Sequence, residues 1–116
     1  MFAAYAGVVI CTLVLNAAAA AADFLRARFV LANSAELGVS EGWLPLLGGL
    51  KAAGAAGLLV GLLWARPAGL AGAAGLMLFF IGAMAVHVRA GVLHNLAFPG
   101  CYLALAIGSL VLMAAR

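Results

Sequence analysis

Long apolar runs separated by short polar breaks make up most of this chain. The clearest run, WLPLLGGLKAAGAAGLLVGLLW, extends over the 22 residues from Trp43 to Trp64. As a helix it rises about 30 Å, which is the thickness of the hydrocarbon core of a bilayer. A Trp stands at each end, where amphipathic rings favour the level of the lipid headgroups. This run is therefore predicted to cross a membrane as one helix.

Three further runs have similar length and character. Together they predict four spans, near 2–22, 43–64, 67–88 and 96–115. Only 8% of the residues are charged, compared with about 25% in soluble domains. The fold prediction is an all-α, integral membrane four-helix bundle, and residues 1–116 are expected to form a single transmembrane domain.

The segment 23–42 is the one long connection, and we expect it to lie at the membrane surface. Asn33 and Glu36 have the spacing of a capping box, which predicts a short helix near 34–39. Four spans place both termini on one face of the membrane, here called side A, and the opposite face is called side B.

Charge does not assign an orientation in the membrane. Arg26, Arg28 and Arg89 fall on side B, and Arg66 and Arg116 fall on side A, so the positive-inside rule gives no clear answer. The net charge is +3, and apart from Lys51 the basic residues lie near the ends of spans, which favours lipid headgroups as partners and argues against nucleic acid. Ala and Gly are abundant in the composition, and five of the six basic residues are Arg, a pattern typical of GC-rich bacteria. We predict a multi-pass protein of the bacterial cytoplasmic (inner) membrane.

Lys51 is the only charge inside the second span. Near the centre of a span, Lys costs roughly 2.5–3.5 kcal/mol even on a lenient insertion scale. Lys51 lies about 12 Å along the helix from Trp43, a depth at which a charge needs a partner, water or a route to the headgroups. We predict that Lys51 faces the bundle interior, with Asp23 or Glu41 as its counter-ion.

Polar residues gather at side B, whereas side A has little beyond Arg66 and Arg116. We predict a ligand-binding pocket at side B, closed over by the connection 24–42. The residues expected to bind the ligand are Asn16, Asp23, Lys51, His87, His94 and Asn95. Such sites form between helices, with apolar walls and a few polar groups that orient the ligand.

Each member of this set also has a simpler interpretation. Lys51 can extend to the headgroups, and each His can contact lipid phosphate at the interface. No metal site is predicted, because two His that lie seven residues apart without a Cys match no recognised ligand spacing. No cofactor signature is evident, although a quinone or another lipid is compatible with the pocket. Cys11 and Cys101 are predicted to be buried as small hydrophobic residues.

Small residues recur at helical spacing in the second span, at Gly49, Ala53, Gly57 and Gly61. Such faces let helix backbones approach closely in lipid. Packing within one chain and a homo-oligomer interface are equally compatible with this pattern.

The chain resembles the bacterial DoxX-like family of small four-span proteins over nearly its whole length. The resemblance rests on ADFLRARF, on the stretch from LGVSEGW through LKAAGAAG and WARP to AVHVRAG, and on NLAFPGCYLAL. It implies the fold and the membrane location. The family commonly has an acidic residue shortly after Arg-Ala, whereas this chain has GVLH, so His94 is a candidate substitute for that acid. The family name comes from a subunit associated with a quinone-linked sulfur oxidoreductase.

Two classes of function follow, with a structural scaffold as the simplest alternative. The first is a membrane subunit that binds a lipophilic ligand, such as a quinone or an isoprenoid, or that supports a membrane redox partner. The second is a small enzyme that uses Lys51, His87 and Asp23 for acid–base chemistry on an apolar substrate. Isomerisation, hydration and ring opening are the reactions that this set would suit.

Overall fold

Four long helices form the body of the molecule in the computed structural model, which describes residues 2–115. The elements are α1 (Phe2–Phe24), α2 (Arg28–Leu37), a 3-10 helix (Glu41–Trp43), α3 (Leu44–Leu63), α4 (Arg66–Ala90) and α5 (Ala97–Ala114). α1, α3, α4 and α5, with the 3-10 helix continuing α3, are long and apolar enough to cross a membrane. The predicted all-α membrane bundle is confirmed, and the chain is a small multi-pass membrane protein.

The four long helices alternate in direction around the bundle. α3 and α4 run antiparallel, because Gly61 meets Gly69 while Gly54 meets Leu76. α1 packs beside α3 and α5, and α4 closes the ring between the same two helices. The start of α1 and the end of α5 therefore lie at the same end of the bundle, which is side A.

Glycines bring α3 and α4 together at the side-A end. A Cβ atom added to Gly61 would lie 2.3 Å from the Cα atom of Gly69, and one added to Gly72 would lie 2.8 Å from the carbonyl oxygen of Gly54. Packing within one chain thus accounts for Gly61 of the small-residue stripe. Gly49, at the start of that stripe, has nothing within 4 Å of an added Cβ, and the homo-oligomer interpretation stays a prediction.

The core between the helices is apolar with a polar contact at mid-depth. Val9, Leu58 and Met113 are fully buried, and the Thr12 and Ser109 hydroxyls lie 2.8 Å apart, joining α1 to α5. The burial prediction for Cys11 and Cys101 was wrong, since both are exposed on the outer surface of the bundle. A membrane helix is apolar on every side, so hydrophobicity did not indicate which face a Cys occupies.

The connection between α1 and α3 is more helical than its sequence suggested. α1 continues to Phe24, so Asp23 lies in its last turn, within the predicted connection 23–42. α2 begins at Arg28 and ends at Leu37, and Gly38 stops it with a left-handed φ of 73°. The capping-box prediction was wrong because Asn33 lies inside α2, where its side chain makes a tertiary hydrogen bond described below.

Candidate functional site

A cavity of about 1060 Å³ opens at the side-B end of the bundle, and all five α-helices contribute to its walls. Ligand sites typically measure about 300–1,000 Å³, so this cavity has room for a sizeable lipophilic molecule. Its walls are mostly apolar, and Leu, Phe and Val are the most frequent apolar residues in them. Its polar lining residues include Asp23, Asn33, Lys51, His87, Arg89 and Asn95.

Lys51 and Asp23 form an ion pair in the wall of this cavity. Lys51 Nζ donates a hydrogen bond of 2.9 Å to Asp23 Oδ2, and the two side chains are 16% and 5% exposed. A Cβ atom at Gly48 would lie 3.1 Å from Asp23 Cβ. The glycine therefore lets α1 and α3 approach closely beside the pair.

The structure selects one of the two predicted counter-ions. Glu41, the other candidate, lies 3.5 Å from Arg26 in an exposed ion pair. Lys51 Nζ also lies 5.5 Å from the centroid of the Phe79 ring, a distance at which a cation is attracted to the ring face. Lys51 thus faces the bundle interior, between a carboxylate of α1 and an aromatic ring of α4.

His87 is fixed in its orientation by its own helix. It is 4% exposed, and its Nδ1 atom lies 2.8 Å from the carbonyl oxygen of Ala83. Because a carbonyl oxygen only accepts, Nδ1 carries the hydrogen in this bond. The neutral ring then presents Nε2 as an acceptor, and Nε2 has no hydrogen-bond partner among residues 2–115.

Two contacts tether α2 to the link that joins α4 and α5. Asn95 Nδ2 donates a hydrogen bond of 2.8 Å to Asn33 Oδ1 in a partly buried position. His94 Nε2 and Glu36 Oε2 lie 2.8 Å apart at the surface. These contacts keep α2 against the side-B end, where Val30 and Ser34 of α2 line the cavity.

The six residues predicted to bind a ligand divide into two groups. Asp23, Lys51, His87 and Asn95 line the cavity. Asn16 and His94 are not among the lining residues. Asn16 is buried in α1, where its Nδ2 donates to the carbonyl oxygen of Thr12 and its Oδ1 has no partner in the described chain. His94 is exposed and pairs with Glu36.

An aromatic cluster in the cavity wall was missed by sequence reasoning. Phe79 and Phe80 meet edge to face at 4.9 Å, and Phe80 lies 5.1 Å from Tyr102. The Tyr102 hydroxyl donates to the carbonyl oxygen of Leu15. A tyrosine inside an apolar span was the one signal for this cluster, because phenylalanines in a membrane helix are not distinguished from lipid-facing residues by pattern.

The comparison with protein families agrees with this architecture. The sequence model of the DoxX-like family matches residues 4–109 of the chain. The chain belongs to the DoxX-like family. No curated protein and no solved structure matches it.

In this DoxX-like protein the residues Gly91 to His94 follow Arg-Ala, and the role of His94 as a substitute for an acidic residue stays a prediction. Gly91 ends α4 with a φ of 73°. His94 lies three residues further on, in the turn at 94–96 that precedes α5, and contacts Glu36 of α2. At this position the chain therefore uses a surface contact to the helix that covers the cavity, while Asp23 of α1 is the carboxylate in the cavity wall.

Proposed function

We propose that this DoxX-like membrane protein binds a lipophilic molecule, such as a quinone or an isoprenoid, in the side-B cavity. One observation carries the proposal: a cavity of about 1060 Å³ with mostly apolar walls holds the buried Lys51–Asp23 pair. Bundle sites for small molecules combine apolar walls with a few polar groups in this manner.

Helix packing alone does not explain the Lys51–Asp23 ion pair. Ionisable groups within membrane spans are costly, and apolar residues of similar volume would pack the same helices without that cost. Only one N–H of the Lys51 ammonium is used by Asp23, so further N–H groups are free to bind a polar group of the ligand or water. The Leu and Phe walls then accommodate the tail.

The test begins with the native membrane. Extraction into lipid nanodiscs with a styrene–maleic acid polymer, followed by mass spectrometry, should identify a lipophile enriched over bulk lipid. Gly82 lines the cavity, and an added Cβ there meets nothing within 4 Å. Gly82→Phe should therefore fill the cavity without disturbing the bundle and remove the lipophile.

Gly75 offers a matched control on the same helix. An added Cβ at Gly75 also meets nothing within 4 Å, and Gly75 is not a lining residue. Gly75→Phe should retain the lipophile. If Gly82→Phe retains it as well, or if no lipophile is enriched and no added quinone or isoprenoid binds, the proposal is wrong.

A second candidate is a small acid–base enzyme, and the unpartnered Nε2 of His87 favours it. A neutral imidazole with an open acceptor is able to take a proton from a substrate, and Lys51 and Asp23 lie in the same cavity. Turnover of an added lipophile by isomerisation, hydration or ring opening, lost in His87→Leu and retained in Gly75→Phe, would favour this candidate.

We further propose the bacterial cytoplasmic membrane as the setting, on the basis of composition and of the family's occurrence. For a protein partner, we propose that the chain supports a membrane redox protein. Separation of inner and outer membranes from the native host, followed by crosslinking and mass spectrometry, tests both points. Recovery in the outer membrane would contradict the first.

A further inference from the structure

We infer that the ligand's head group is a hydrogen-bond donor, a lipophilic alcohol or phenol whose hydroxyl donates to Nε2 of His87. This inference rests on the proposed function and narrows its ligand class. It favours a prenol or a reduced quinol over an oxidised quinone, an ester or an ether.

His87 supplies the main observation. Its ring is buried in the cavity wall, and its Nδ1–H is committed to the carbonyl oxygen of Ala83 at 2.8 Å. Nε2 is consequently an acceptor in the neutral ring. It lacks a donor among the described residues, so a ligand that displaces water from it must supply one.

Two further acceptors in the same cavity lack donors. Asp23 uses Oδ2 for Lys51, and no described residue donates to its Oδ1. Asn95 Oδ1 is buried without a partner while its Nδ2 is used by Asn33. Rotating both Asn amides together would exchange their roles, so His87 carries the inference. The open Oδ1 of Asp23 shows that unpaired acceptors also occur in the other polar part of the cavity.

The cavity also has spare donors, but these do not favour a carbonyl head. Lys51 has N–H groups beyond the one used by Asp23, and Arg89 is exposed at the rim. A hydroxyl both accepts from such donors and donates to an acceptor. A carbonyl or ether oxygen only accepts hydrogen bonds. Such a head group would displace water from the acceptors of the cavity and leave them without a donor, and an unpaired buried polar atom lowers the affinity.

The two polar parts of the cavity are separated along α4. Phe79, which the Lys51 ammonium faces, and His87 are eight residues apart, a rise of about 12 Å along the helix. One small head group is therefore not expected to bridge both parts. We assign the hydroxyl to His87, near the end of α4, and the tail to the apolar wall.

The experiment compares farnesol with its methyl ether, which has the same tail but no donor. Saturation binding of tritiated farnesol to the protein in lipid nanodiscs, with empty nanodiscs subtracted, gives its affinity, and competition gives that of the ether. Wild type should prefer the alcohol about tenfold, the effect of leaving one buried acceptor unpaired. In His87→Leu, which has no acceptor, the preference should fall to about twofold or less.

Comparing the alcohol-to-ether ratio between the two proteins cancels the extra methyl group of the ether. Equal affinity for alcohol and ether in wild type, or an unchanged preference in His87→Leu, would overturn the inference. In either of these cases the proposed function stands if Gly82→Phe abolishes the binding of both probes. Binding that Gly82→Phe leaves intact would overturn the proposed function too. If neither probe binds saturably, the inference is overturned, whereas the proposed function is overturned only if no added quinone or isoprenoid binds either.

Discussion

At the side-A end α3 and α4 approach until Gly61 and Gly69 nearly touch, whereas at the side-B end the same two helices line a cavity. The packed end uses glycine to bring backbones together, where close van der Waals contact stabilises helices in lipid. The open end uses Leu and Phe side chains and one buried ion pair. The bundle thus concentrates its stabilising packing at one end and its polar chemistry at the other.

The largest expected effect lies at the open end. Lys51→Met leaves the Asp23 carboxylate buried without its cation, which should lower the free energy of unfolding by about 3 kcal/mol or more. Lys51→Met combined with Asp23→Asn removes both charges and should recover most of that loss. Unfolding in mixed micelles by titration with SDS measures both variants.

Arg66→Met is the matched control for loss of a cation, because Arg66 is exposed at the packed end. Its effect should stay below about 0.5 kcal/mol. If Lys51→Met combined with Asp23→Asn is as unstable as Lys51→Met alone, the unpaired Asp23 carboxylate does not cause the loss of stability in Lys51→Met.

The next effect concerns the packed end. Gly61→Leu forces a side chain against the Gly69 backbone, which no rotamer change relieves, so it should cost about 1–3 kcal/mol. Gly49→Leu, on the same helix with nothing within 4 Å of an added Cβ, should be nearly neutral in the same SDS titration. If Gly49→Leu is instead the more damaging change and also alters the mass of the assembly, the outer part of the stripe is an oligomer interface.

A smaller effect is expected at the mid-depth contact between α1 and α5. Thr12→Val removes the hydroxyl that lies 2.8 Å from Ser109 Oγ and should cost about 0.5–1 kcal/mol. A double-mutant cycle with Ser109→Ala isolates this interaction. Independent, additive effects of the two substitutions would show that the hydroxyls are not coupled.

The smallest effect is expected at the surface tether of α2. Glu36→Gln removes the carboxylate from a contact with His94 in which the two side chains are 45% and 64% exposed, and it should change the free energy of unfolding by about 0.5 kcal/mol or less. Farnesol binding should be unchanged, because neither residue lines the cavity. Asn95→Ala removes the partly buried hydrogen bond to Asn33, so it should lower both the free energy of unfolding and farnesol binding more than Glu36→Gln does. If Glu36→Gln instead has the larger effect on both, His94 is part of the site.

The sequence carried clear information about depth along the membrane. Run length and bounding residues gave four spans, and the up-and-down order that follows from them put Asp23, Lys51 and His87 at one end. For Lys51 the cost of an unpaired charge in a span required a partner, and two acids were near enough in the predicted topology. These inferences needed only helical rise and the dielectric difference between water and hydrocarbon.

The sequence was much less informative about direction around each helix. A soluble helix shows its buried face by amphipathicity, but a membrane helix is apolar on the lipid side and on the core side. This is why the exposure of both Cys residues and the aromatic cluster at Phe79 were not predicted. His94 lies in the link between α4 and α5, where helical geometry does not determine the direction of a side chain.

Only the tertiary structure decided which polar groups meet. Asp23 pairs with Lys51 because α1 continues through it and Gly48 lets the two helices approach, whereas Glu41 lies on a 3-10 helix beside Arg26. Asn16 has the right depth but not the right direction, and it stays inside α1. Depth depends on position along one helix, which the sequence determines by itself, whereas convergence depends on how neighbouring helices are rotated, and packing across the whole bundle decides that.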